Sequence, residues 1–177
     1  MKLFKVFLSF FVFAALVFLI SFFFPHQYKI EEKISIHKPR DSVFLYMNNL
    51  RNWESWSLWN RSADSTLGYF YGKRSDSTGA RQYFYGQLLK TGRFMISESV
   101  NGEKIVYQLY MHQGDVNASG TFLFKGENDG MELSWLDSGD VGYNPFLRFM
   151  IPSKTKSTSE AFQSGLERIK ARVEYKQ

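Results

Sequence analysis

Hydrophobic and polar positions follow several different rhythms along this chain, and each rhythm predicts a different element. From Val6 to Phe24 the sequence reads VFLSFFVFAALVFLISFFF, nineteen residues with no charge and only Ser9 and Ser21 polar. At about 1.5 Å rise per residue such a helix is roughly 28 Å long, close to the hydrocarbon thickness of a bilayer. Tyr28 to Ile36 then alternates with period two, as a strand does, with Tyr28, Ile30, Ile34 and Ile36 on one face. Glu32 breaks that face, which a strand end or edge tolerates. Val43, Phe44, Met47 and Leu50 form the stripe of a short helix entered at Pro39, with Asp41 or Ser42 as its N-cap. Trp53, Trp56 and Trp59 follow at spacing three, which predicts a second short helix presenting Trp53 and Trp56 inward.

Beyond Thr66 the pattern changes to short β segments punctuated by turns: Thr66–Tyr71, Ala80–Leu89, Arg93–Val100, Lys104–Met111, Ser119–Lys125 and Met131–Asp137. Asn101-Gly102 is the strongest hairpin signal, and Asn128-Asp129-Gly130 marks another turn. With the first strand these make seven, spaced as in an antiparallel meander. A final helix is expected from about Ser157 to Tyr175, its stripe formed by Ala161, Phe162, Gly165, Leu166, Ile169 and Val173. Gly165 costs about 1 kcal/mol of helix propensity inside that stripe, which points to close backbone approach there.

Several phrases carry a resemblance. Ile34-Ser35-Ile36-His37-Lys38-Pro39 with Val43-Phe44, the Trp-rich run Asn52 to Trp59, Glu98-Ser99 through Tyr107, and Gly120-Thr121-Phe122 resemble the first strand, second helix and hairpins of the START-like, or SRPBCC, superfamily, which includes polyketide cyclase/dehydrase-like proteins. Val141-Gly142-Tyr143-Asn144-Pro145 resembles the lead-in to the last helix of membrane-anchored bacterial members. The resemblance spans about residues 28–175. It implies an α+β helix-grip fold, a seven-stranded antiparallel sheet around a long C-terminal helix, preceded here by an N-terminal transmembrane helix. Such a fold hosts binders, carriers and enzymes, so it leaves function open.

Composition sharpens the organisation. Nine of the eighteen Phe lie between Phe4 and Phe24, and the run ends in Phe-Phe-Phe-Pro, where a signal peptidase needs small residues. The expected organisation is therefore an uncleaved anchor over residues 1–24 and a helix-grip domain over 25–177. Lys2 and Lys5 precede the span and Lys29, Lys33, Lys38 and Arg40 follow it, so charge counting does not set orientation; the signal-like order of a short basic n-region and then the apolar run favours an extracytoplasmic domain. The link between span and first strand is only three or four residues, reaching at most about 14 Å, which keeps the domain against the bilayer. The whole chain carries a net +5, with its charges interspersed. That is no nucleic-acid footprint. Zero cysteines exclude disulfides and thiolate metal sites.

Strand alternation puts Phe94, Ile96, Ile105, Tyr107, Leu109, Phe122, Phe124, Met131, Leu133 and Trp135 on the concave face. Together with Trp53, Trp56, Phe162 and Leu166 they would either line a cavity for a hydrophobic small molecule or lipid, or fill a core. The apolar segment Asn144 to Pro152 is expected to form a gate facing the bilayer through Phe146, Leu147, Phe149 and Met150, with Arg148, Lys154 and Lys156 near lipid headgroups; a short helix packed under the last one is the other reading. Catalytic signals are thin. His26, His37 and His112 have no metal-ligand spacing, neither metal nor cofactor is expected, and Glu98 with Glu132, Asp137 or Asp140 is the one candidate acid/base pair. Three functions stay open: tethered binding of an apolar ligand, a cyclase/dehydrase-like enzyme, and a protein-interaction module.

Overall fold

A computed structural model describes residues 2–111, 116–127 and 129–175. The elements run α1 (Lys2–Ser21), β1 (Gln27–Ile36), α2 (Arg40–Met47), a 3₁₀ turn (Leu50–Ser55), β2 (Gly68–Tyr71), β3 (Arg81–Tyr85), β4 (Thr91–Val100), β5 (Lys104–Met111), β6 (Val116–Glu127), β7 (Gly130–Asp140) and α3 (Pro145–Tyr175). The seven strands form one sheet in the order β1-β7-β6-β5-β4-β3-β2, and the pairs from β2 through β7 are antiparallel. This is the antiparallel sheet and final helix that the alternation and turn signals predict, and the helix-grip architecture that the resemblance implies. Gly102 takes φ +68° in the β4–β5 turn, the left-handed conformation an Asn-Gly hairpin requires. The Asn128 turn signal and His112 lie outside the described residues.

Two compact units divide the chain: Met1–Lys29 with Ser138–Thr158, and Ile30–Asp137 with Ser159–Gln177. In the second, Val43, Phe44, Met47 and Leu50 are buried as their spacing predicts. β1 is an edge strand, and its interrupting Glu32 accepts a hydrogen bond from the Ser159 hydroxyl of α3. Edge placement thus tolerates the carboxylate, and a partner on the next layer satisfies it.

Two boundaries differ from expectation. The residue at the N-cap of α2 is Pro39, with no side-chain cap, and neither Asp41 nor Ser42 fills that place. Proline fixes its own φ and supplies the extended turn into the helix without an Asx or Ser cap. α3 begins at Pro145 rather than near Ser157 and continues through Pro152. Its start is capped by Asn144, whose Oδ1 accepts from the amides of Phe146 at 3.1 Å and Leu147 at 3.2 Å. Pro145 sits at the first helical position, where a missing N–H costs nothing. A single helix therefore absorbs the segment expected to stand apart as a gate.

Candidate functional site

The apolar positions that strand alternation assigns to one face are buried. β4, β5, β6 and β7 deliver Phe94, Ile96, Tyr107, Leu109, Phe122, Phe124 and Trp135, the 3₁₀ turn and its end deliver Trp53 and Trp56, and α3 delivers Phe162 and Leu166; all eleven are buried. Register explains the convergence. Ile96 lies opposite Tyr107, and Phe122 lies opposite Trp135 across neighbouring strands.

The aromatics meet one another. Trp53 lies 5.0 Å from Trp56, 5.3 Å from Phe94 and 5.2 Å from Tyr107, centroid to centroid. Trp56 lies 5.7 Å from both Phe122 and Trp135, and Phe122 lies 4.8 Å from Trp135. Trp135 stacks on Phe162 at 4.0 Å with the planes 7° apart. Most are edge-to-face or offset contacts at distances that aromatic pairs favour. α3 comes close enough to make the stack because Gly165 has no side chain: a Cβ there would fall 2.6 Å from Trp135 Cζ3. The glycine in the stripe marks close approach, as its position implies. Trp59 is only half-buried and packs against Phe84 and Phe94.

Four polar atoms enter this apolar layer. Trp135 Nε1 donates to Tyr107 Oη at 3.0 Å. Burial pushes the Tyr107 phenol well above its ordinary range, so it stays protonated. The third atom, Trp56 Nε1, is buried and has no hydrogen-bond partner. Trp53 Nε1, by contrast, donates to the Met47 carbonyl at 2.8 Å.

In the first unit, the gate residues separate by role. Phe146, Leu147 and Met150 are exposed, whereas Phe149 packs on Phe24 with ring centroids 4.6 Å apart. Arg148 departs from the headgroup position expected of it: it is buried at 4 % exposure. Its Nε donates to the Gly142 carbonyl at 2.8 Å and its Nη1 reaches the Ser21 carbonyl at 3.5 Å, while the guanidinium lies over the rings of Phe22 and Tyr143. The carbonyls of Leu19, Ile20 and Ser21 accept from the amides of Phe22, Phe23 and Phe24, and the negative end of the helix dipole still calls for a cation. That demand draws Arg148 inward. Lys154 and Lys156 remain exposed.

Glu98 forms no acid/base pair with Glu132. Glu98 pairs with Lys104 at 2.9 Å and Glu132 with Lys33 at 3.6 Å. β4 and β7 are separated by two strands, which puts Glu98 and Glu132 roughly 14 Å apart across the sheet. Asp140 instead takes His26 and Gln27 as partners. Spacing alone missed a different carboxylate, Asp64. It is buried and accepts from Thr66 N and Oγ1, Leu88 N and Leu89 N. Those donors hold its pKa at about 2, the Thr66 hydroxyl contributing most. Among the described residues, no group of His, Cys, Asp and Glu could hold a metal.

Among the described residues, one helix, covering Phe4–Ser21, is long and apolar enough to cross a membrane, with a mean hydropathy of 2.4. No family model matches the chain, and no curated protein matches it. Solved structures do resemble it. Protein MLL2253 from Mesorhizobium loti aligns with TM-score 0.60 and 12 % identity over 85 % of this chain and 99 % of its own. BH1534 from Bacillus halodurans gives 0.59 and 14 % over 83 % and 97 %. The Aha1 dimer from Colwellia psychrerythraea gives 0.58 and 9 % over 84 % and 97 %. At such identities the likeness shows a shared fold alone, which is that of the helix-grip class.

Proposed function

We propose that this protein, tethered to a membrane by α1, binds a hydrophobic small molecule or lipid between the sheet and the second half of α3. The observation that carries this reading is the unpartnered indole N–H of Trp56 within an aromatic wall. An unsatisfied buried donor costs about 1–3 kcal/mol. A ligand oxygen accepting from Trp56 Nε1 removes that cost while its apolar body lies on Trp135, Phe162 and Leu166. Access then requires Phe162 to part from Trp135, and the close approach at Gly165 leaves their stack as the contact to break. Phe146, Leu147 and Met150, exposed on the opening turns of α3, would meet the bilayer interface.

Titration of the full chain with a lipid extract from its own host tests this by tryptophan emission. Saturable quenching is expected, because two of the four tryptophans would touch the ligand. A flat titration counts against binding. A second reading, an interaction module with a filled core, is favoured by the ring-to-ring contacts throughout the layer. The cyclase/dehydrase alternative would have to draw its proton transfer from Tyr107, the titratable side chain within these ring contacts.

A further inference from the structure

Four arginines from two distant stretches of the sequence converge on one pocket. Arg51, Arg61, Arg168 and Arg172 line a recess of about 540 Å³ together with Tyr46, Asn52, Glu54, Ser55, Asn60 and Ser62. Four guanidinium groups thus face a single carboxylate, and Glu54 lies 3.5 Å from Arg61. Arg168 and Arg172 are four residues apart on α3, a spacing that places like charges side by side at a cost of a few tenths of a kcal/mol. Neither has an acidic residue three or four positions away to offset it. The other charged residues of that stretch serve elsewhere: Glu167 takes Gln163, and Lys170 and Glu174 face each other and β1.

The neutral polar groups of the recess hold its shape through bonds to one another and to backbone, while Arg51 Nε donates to Ser75 Oγ at 3.3 Å and Arg61 Nε to the Leu67 carbonyl at 3.2 Å. Asn52 Nδ2 donates to the Tyr46 carbonyl at 2.8 Å, Ser55 Oγ donates to the Asn52 carbonyl at 2.6 Å, and Asn60 Nδ2 donates to the Ser57 carbonyl. Tyr46 Oη is 2.6 Å from Ser55 Oγ. Arg168 is fixed by two bonds, Nε to the Trp56 carbonyl at 2.7 Å and Nη1 to Ser164 Oγ at 2.8 Å, and its Nη2 is buried without a partner. Arg51 is steadied over the Tyr71 ring at 4.5 Å. The result is a preorganised set of planar donors, an unpaired one among them, with too little negative charge to match.

We propose that this recess is a binding site for a phosphate-class oxyanion, a tetrahedral multivalent group that guanidinium forks grip at two oxygens at once. The site is independent of the apolar-ligand reading, since its donors lie outside the aromatic layer. The anion bridges the 3₁₀ turn and the loop after it to α3, and neutralises the Arg168–Arg172 repulsion. A free phosphate ester and a phospholipid headgroup share this chemistry.

Calorimetric titration of the full chain in alkyl maltoside micelles with inorganic phosphate, at constant ionic strength in sodium chloride, tests the site. Constant ionic strength matters because exposed charges also respond to bulk screening. Saturable one-site binding is expected, weakened about tenfold or more by Arg172→Gln and by Arg61→Gln, both at exposed residues. Repeating the titration in nanodiscs separates the sources. Phosphatidic acid that abolishes phosphate binding, where phosphatidylcholine does not, identifies a headgroup as occupant; equal binding in both identifies a soluble phosphate. No saturable binding, or binding unchanged in both variants, overturns the proposal.

Discussion

Arg168 and Trp56 are joined through the backbone: Arg168 Nε donates to the Trp56 carbonyl at 2.7 Å, while the indole N–H of the same tryptophan has no partner. One residue thus ties the last helix to the 3₁₀ turn through its main chain and turns an unused donor into the aromatic layer. The carbonyl contact holds the Trp56 backbone in place; the indole remains available.

Trp56→Phe separates those two roles. It leaves the Arg168 bond, removes the unsatisfied donor and gives up part of the ring packing. The first change relieves about 1–3 kcal/mol and the second costs a similar amount, so unfolding free energy should shift by less than about 1 kcal/mol. Denaturant unfolding measures this. A loss of several kcal/mol would mean the indole N–H is satisfied after all.

Gly165→Ala tests the approach of α3 to the sheet. Alanine improves helix propensity by about 1 kcal/mol, yet its Cβ would meet Trp135 Cζ3 at 2.6 Å. Overpacking of this kind costs about 1–3 kcal/mol, so a lower midpoint temperature is expected, with Trp135 emission altered. A stabilised variant would show that the helix stands off the sheet.

Arg148→Met removes the cation from the end of α1, takes the Nε donor from the Gly142 carbonyl and leaves the Ser21 carbonyl with the Phe24 amide alone. Charged hydrogen bonds are worth about 1.5–3 kcal/mol, and the loss should be local. Hydrogen exchange should quicken around residues 19–24 and 142–150, with the amides of β4 and β5 unchanged. Uniform acceleration everywhere, or none, would contradict this assignment.

Asp64 makes stability depend on acid. Its folded pKa is depressed to about 2 from an ordinary 3.8. The stabilisation is therefore full above the ordinary value and is lost as pH falls through that window toward the folded value. Asp64→Asn should flatten the stability profile between those limits, and should also weaken the loop that carries Leu88 and Leu89. An unchanged acid limb would show that other carboxylates set it.

Much of the fold was legible because strand alternation and turn residues are local signals. The β4–β5 hairpin followed from Asn101-Gly102, and the close approach at Gly165 from a glycine in an apolar stripe. What stayed hidden rests on partners remote in sequence. Arg148 looks like a headgroup cation until Ser21, 127 positions away, supplies a carbonyl. The arginine recess draws on Arg51 and Arg172, which no spacing rule connects. α3 runs on through Pro152 although proline normally argues for a break, and the Asn144 cap explains only where it begins.

The central claim, an apolar ligand held beside Trp56, is tested most directly by native mass spectrometry of the full chain, gently extracted from its own host's membranes. A co-purifying mass that denaturation releases, retained by wild type and diminished in Trp56→Phe, is the expected result. A clean apo mass that persists after incubation with the host's lipid extract would contradict it and favour the interaction module.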